Sequence, residues 1–93
     1  MTIDHQESGS KGRFTAEADG QIIAAMTYSK AGDQLIIIDH TEVDEAHKGE
    51  GLGQKLVVAA VEMARKKQIR IMPLCPFANS VFQKEPELRD VLN

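Results

Sequence analysis

His47-Lys48-Gly49-Glu50-Gly51-Leu52-Gly53-Gln54-Lys55-Leu56 decides how this chain is read, because three alternating glycines run straight into an apolar, helix-forming stretch that extends to Ala64. Glycines let the main chain approach a ligand closely. The first turn of a helix offers N–H groups with no internal partner and the positive end of the helix dipole. Together they form an anion cradle, and a phosphate or pyrophosphate is its natural guest. A nucleotide P-loop is excluded, since Gly53 is followed by Gln54 and Lys55 rather than by Lys and Ser or Thr. The dinucleotide fingerprint also fails. Gln54 stands where its third glycine should be, and a chain this short lacks the second βαβ half.

Composition narrows the class. The 93 residues make one small domain, and the formal charge of −3 gives no basic field for nucleic acid. The longest apolar run, Leu56 to Val61, is far shorter than the ~20 residues that span a bilayer, and the N-terminus has no signal-peptide pattern. A soluble, cytoplasmic protein is expected, without nucleic-acid or membrane partners. Cys75 is the single cysteine, which fits a reducing compartment. His5, His40, His47 and Cys75 lack the close spacing of a zinc site, so no metal is expected.

The first half reads as an antiparallel meander. Arg13 to Ala18 alternates with Phe14, Ala16 and Ala18 on one face, Asp19-Gly20 signals a hairpin, and Gln21 to Ser29 is the next strand. Gln34 to Val43 begins with Leu35-Ile36-Ile37-Ile38, a run expected to form the central strand, covered on both faces. Ile3 to Gln6 adds an edge strand before a Ser8-Gly9-Ser10 loop. Leu52 to about Gln68 reads as a helix whose terminal Arg65, Lys66 and Lys67 complement the dipole. Ile69 to Leu74 forms a short strand, completing a parallel, right-handed βαβ unit. Ala78 to Gln83 reads as a further helix, with Pro86 opening a last turn through Leu88 to Leu92.

Lys48-Gly49-Glu50-Gly51-Leu52-Gly53, a basic-x-x-Gly-x-Gly pattern, resembles the GNAT acetyltransferase superfamily, which has Gln or Arg where Lys48 stands. More narrowly, Asp39-His40-Thr41-Glu42-Val43, the glycine loop, Cys75-Pro76-Phe77 and Glu85-Pro86 look like the very small GNAT-like proteins called YjdJ-type, over about Phe14 to Val91. The resemblance implies a minimal α+β GNAT-like fold: an antiparallel meander, one parallel βαβ unit and a C-terminal helix. It also implies acetyl-CoA as cosubstrate. Glu50, Gly51, Leu52, Gly53 and Gln54, beside Lys48 and Gly49, would hold its pyrophosphate, and Thr41 and Val43 would pair with the pantetheine. Residues for the helical segment that shapes the acceptor site in ordinary members are missing, so no acceptor is carried over.

Amine acetylation needs a held thioester, a neutral amine and stabilisation of the oxyanion. An alkyl amine is protonated about a thousand to one at neutral pH, so a base is useful. His40 is the preferred base and Glu42 the second; regular alternation puts Ile38, His40 and Glu42 on one face unless a bulge intervenes. The resemblance turns Cys75 toward the CoA thiol, where it is an acetyl-accepting nucleophile, a pocket-lining thiol or a buried small hydrophobe. Tyr28 is the only tyrosine, so the tyrosine that protonates the leaving thiolate in many GNAT enzymes is missing after Cys75, or Cys75 replaces it. Asn79 and Phe82 touch the pantetheine from the closing helix, or Asn79 is a helix cap. Phe77 covers ligand or core, and His47 and Lys48 face CoA phosphates or solvent. Three functions follow: N-acetyltransfer to a primary amine of unknown identity, a non-catalytic CoA or acyl-CoA binding module, and a ligand-free interaction domain. Oligomeric state is open.

Overall fold

Alternating apolar residues along the first half of the chain close into strands that pair in sequence order. In the computed structural model, which describes residues 1–93, β1 (Thr2–Ser8), β2 (Lys11–Ala18), β3 (Gln21–Lys30) and β4 (Leu35–Val43) form an antiparallel meander. A 3-10 turn (Glu45–His47) and the glycine loop lead into α1 (Leu52–Lys67). Next, β5 (Arg70–Pro73) pairs parallel with β4, giving the order β1-β2-β3-β4-β5. The chain closes with α2 (Pro76–Lys84) and a 3-10 segment (Pro86–Val91).

Several expectations shift. The edge strand is seven residues long rather than four, and only a tight turn at Gly9-Ser10 separates it from β2. The isoleucine run is not the central strand: β3 is the middle one, and β4 lies between it and β5. Nor is that run covered on both faces, since Ile36 and Ile38 are buried while Leu35 and Ile37 are half-buried. The closing helix starts two residues earlier than expected, because Pro76 suits a first helical position whose N–H needs no partner.

One face of the sheet carries the core. Leu56, Val57, Ala60, Val61 and Ala64 of α1 are fully buried against it, each Leu or Val side chain contributing about 1.5–3 kcal/mol. The helix ends at Gln68, whose left-handed φ of 58° returns its N–H to the carbonyls of Ala64 and Arg65. Arg65 does more than complement the dipole. Its guanidinium donates to Asp90 Oδ1 at 2.7 Å and to the Glu87 carbonyl at 2.7 Å, tying the last segment onto α1.

At the far end of this face, Tyr28 lies across Gly12. A Cβ on Gly12 would stand 2.2 Å from Tyr28 Cζ, so only glycine fits beneath the ring. Gly12→Ala is expected to destabilise the fold by about 1–3 kcal/mol, read as a lower urea midpoint at unchanged slope. The phenol donates to Glu7 Oε2 at 2.6 Å, leaving its oxygen to accept from His5 Nε2–H. His5 stacks on Phe14 with centroids 4.1 Å apart.

These contacts shape stability against pH. Burial pushes His5 below its ordinary 6.5, so its protonation destabilises the fold as pH falls below that value. The Tyr28 hydrogen bond, followed by Lys30, holds Glu7 below 4.5, a contribution present above 4.5 and lost as pH falls through the lower folded value. Burial, then the Glu7 hydrogen bond, drives Tyr28 well above 10, so its contribution is whole below 10 and lost as pH rises beyond it. Urea midpoints should therefore plateau between about pH 7 and 10. Tyr28→Phe should remove this residue's share of the alkaline fall; an unchanged alkaline arm would contradict the assignment.

Candidate active site

The glycine loop leaves an uninterrupted row of main-chain donors. Backbone bonding stops after Lys48 N–H to the Glu45 carbonyl and resumes with Lys55 N–H to the Gly51 carbonyl, so the amides of Gly49, Glu50, Gly51, Leu52, Gly53 and Gln54 have no partner in the protein. Gly49 and Gly51 turn the chain with φ of 88° and 75°. Gly53 has a different reason: a Cβ there would come within 2.5 Å of the Phe77 ring, which lies over the first turn of α1. Three glycines thus serve two purposes, a turn and a close approach. His47 Nδ1 to Glu50 Oε1 at 3.1 Å and Lys48 Nζ to Glu45 Oε2 at 2.8 Å pin the loop from outside.

Beside this row the sheet opens. Pro73 ends β5 without a donor, and the amides of Leu74 and Cys75 both turn back to the Ile38 carbonyl at 3.0 Å. Pairing between the parallel strands stops at Ile38, so residues 39–43 of β4 run on with no strand on that side. The resulting groove, about 550 Å³, is lined by Thr41, Val43, Lys48, Leu52, Gly53 and Phe77 among others. Cys75 caps α2 at its inner end, where the buried Sγ–H donates to Thr41 Oγ1 at 3.4 Å.

A β-bulge sorts the rest of β4. Tyr28 opposes Ile38 and Met26 opposes Thr41, so β4 spends one residue more than β3 between them. Ile38, Thr41 and Val43 consequently share the core face, while Asp39, His40 and Glu42 point to the opposite, open face. The expected grouping of Ile38 with His40 and Glu42 is corrected: the latter two stay together, Nε2 to Oε2 3.9 Å, but without Ile38. Regular alternation gives no warning of the extra residue. His40 therefore lies across the sheet from Cys75 and does not contact its thiol.

Other predicted positions separate. Glu50 and Gln54 contribute main-chain amides, while the Gln54 side chain donates to Glu85 Oε1 at 3.2 Å. Asn79 is neither in the groove nor a cap: it is exposed inside α2, its N–H bonded to the Cys75 carbonyl at 2.9 Å. Phe82 is a core residue. The Gly53–Phe77 contact was not foreseen, although a glycine inside a helix-forming run is a signal of close packing.

A five-stranded sheet opened by a parallel pair, with unpartnered amides at the helix that precedes its last strand, is an α+β arrangement with a groove suited to an extended anionic ligand. A sequence model of the GCN5-related N-acetyl-transferase family matches residues 13–91, and the chain belongs to that family, whose acyl donor is acetyl-CoA. The NMR solution structure of a GCN5-like protein from Staphylococcus aureus is 31% identical, with 97% of this chain and 87% of that one covered at a TM-score of 0.71. A GNAT acetyltransferase from Elizabethkingia anophelis, solved with acetyl-CoA bound, is 18% identical at a TM-score of 0.66 over 81% of this chain and 52% of that one, a likeness of fold. Protein NATD1 of Bos taurus is 25% identical over 75 residues, 80% of this chain; the chain spans 66% of that relative's length. No helix is long and apolar enough to cross a membrane.

Proposed function

We propose that this chain transfers the acetyl group of acetyl-CoA to a primary amine. The observation that carries the reading is the row of unpartnered amides from Gly49 to Gln54 at the mouth of the groove beside Thr41 and Val43. The donors suit a diphosphate, and the free side of β4 suits an extended pantetheine. Phe77 walls the groove between them.

The ammonium gives one proton to His40, which Glu42 assists. The nitrogen lone pair adds to the thioester carbonyl carbon, forming the C–N bond. The C–S bond then breaks with its electron pair on sulfur, the nitrogen releases its second proton, and the thiolate takes up a proton. Cys75, whose hydrogen faces the groove wall at Thr41, is assigned to the sulfur end in place of the missing tyrosine. Tyr28 is engaged by Glu7 and His5 and is unsuited to that role. We place the reaction in the cytoplasm.

Thiol release from acetyl-CoA over a panel of amines tests the reading. Turnover above a glycine-loop variant supports it, and none above that control counts against it. The solvent-exposed His40–Glu42 pair and the absent tyrosine favour a second reading, a CoA-binding module without chemistry. Calorimetric CoA binding with an inert amine panel would select it. Acetylated Cys75 in intact-protein mass spectra would reject it and replace the assigned role with a two-step transfer.

A further inference from the structure

Asp39, next to core-facing Ile38, points to the opposite face of the sheet by simple alternation, and the bulge that turns Thr41 toward the groove brings His40 onto that same face, where buried helix residues do not reach. On that face lies a second hollow, about 380 Å³, running across the sheet from the β1–β2 hairpin to Asp39. Its walls include Lys11, Arg13, Thr27 and Asp39. The cross-strand register puts Arg13 opposite Thr27, and Thr27 opposite the bulge. Thr27 Oγ1 donates to one Asp39 oxygen, leaving the other free, while Arg13 uses only Nε, on Gln6 Oε1 at 3.0 Å, and keeps its terminal nitrogens free. Glu7, the remaining carboxylate of the hollow, is occupied by Tyr28 and by Lys30 at 3.2 Å.

The hollow is therefore dipolar. At the β2 end stand Arg13, with its terminal nitrogens free, and Lys11, which donates only to the Ser29 hydroxyl at 2.8 Å; at the β4 end stands Asp39 with one free oxygen, and the paired His40 and Glu42 follow it along β4 outside the hollow's walls. Two strand spacings separate the ends, about 10 Å between backbones. We propose that this hollow is the acceptor subsite and that it selects an amine carrying an anionic group at the far end of an extended spacer. This rests on the acetyl-transfer reading. The amine lies at Asp39 and His40, approaching the thioester from the face opposite Cys75, while the carboxylate or other anion lies on Arg13 and Lys11. A short α-amino acid cannot reach both ends, whereas an ω-amino carboxylate can.

The test compares 6-aminohexanoate, hexylamine and hexanoate on CoA-saturated protein by amide NMR, and the two amines by thiol release from acetyl-CoA. Only 6-aminohexanoate should perturb Arg13, Thr27 and Asp39 together. Its kcat/KM should exceed that of hexylamine about tenfold or more, the size of a charge-assisted hydrogen bond. Arg13→Gln should collapse that ratio toward unity, with CoA-induced thermal stabilisation reporting that the variant is folded. Perturbation of all three amides without turnover would support the subsite and count against acetyl transfer. Turnover without preference for the anionic amine would overturn the subsite and leave acetyl transfer standing. Neither perturbation nor turnover would overturn both.

Discussion

Gly51→Val should weaken CoA binding about a hundredfold, close to 3 kcal/mol, in a calorimetric titration. Gly51 stands at the helix start with φ of 75°, a conformation that a β-branched residue adopts only under strain. A Cβ there meets no other atom, so the effect is conformational rather than steric. Relieving the strain rotates the peptide units on both sides of Gly51, and their amides then no longer converge on one anion. The residue is exposed and outside the core, so the ligand-free protein should still melt cooperatively. Unchanged affinity in a folded Gly51→Val protein would remove the amide row from the binding site, and with it the main support for a CoA-dependent function.

His40→Ala should lower kcat about a hundredfold or more, the scale on which a positioned base acts in amine chemistry. His40 and Glu42 are both largely exposed, with side-chain relative accessibilities of 67% and 79%, so their value lies in position beside the gap rather than in a buried charge pair. Glu42→Gln should cost less, because the ring can accept a proton without it. Raising the pH should restore part of the His40→Ala rate, as more amine becomes neutral without help. A His40→Ala rate equal to the parent at every pH would transfer the base role to another group or to water.

The free amides of the loop were legible from residue order because they are a local feature. Alternating glycines before a helix-forming run define which amides lack a carbonyl four residues back, whatever the rest of the chain does. The hairpins, the helix and the parallel partner of β4 were legible for the same reason, since turn residues and apolar period act over a few positions. The bulge in β4 was not. It is a mismatch between β3 and β4 in how many residues cover one span of sheet, and neither strand alone encodes it. Asn79 does not cap α2, because Pro76 sets the start of the helix at Cys75 and turns an expected end position into an interior one. Gly12 was passed over because the ring it accommodates comes from the neighbouring strand.

Sequence by itself determined the row of unpartnered amides before α1, the meander followed by one parallel crossover, and the inventory of groups able to move a proton or an acyl group, because each depends on neighbours along the chain. Tertiary structure alone decided which of those groups meet. It set Cys75 against Thr41 on one face of the sheet and His40 with Glu42 on the other, and it placed Arg13 and Asp39 in the walls of one polar hollow. The physical reason is that a strand's faces are assigned by its pairing register, and one added residue in β4 reverses the assignment for everything beyond it.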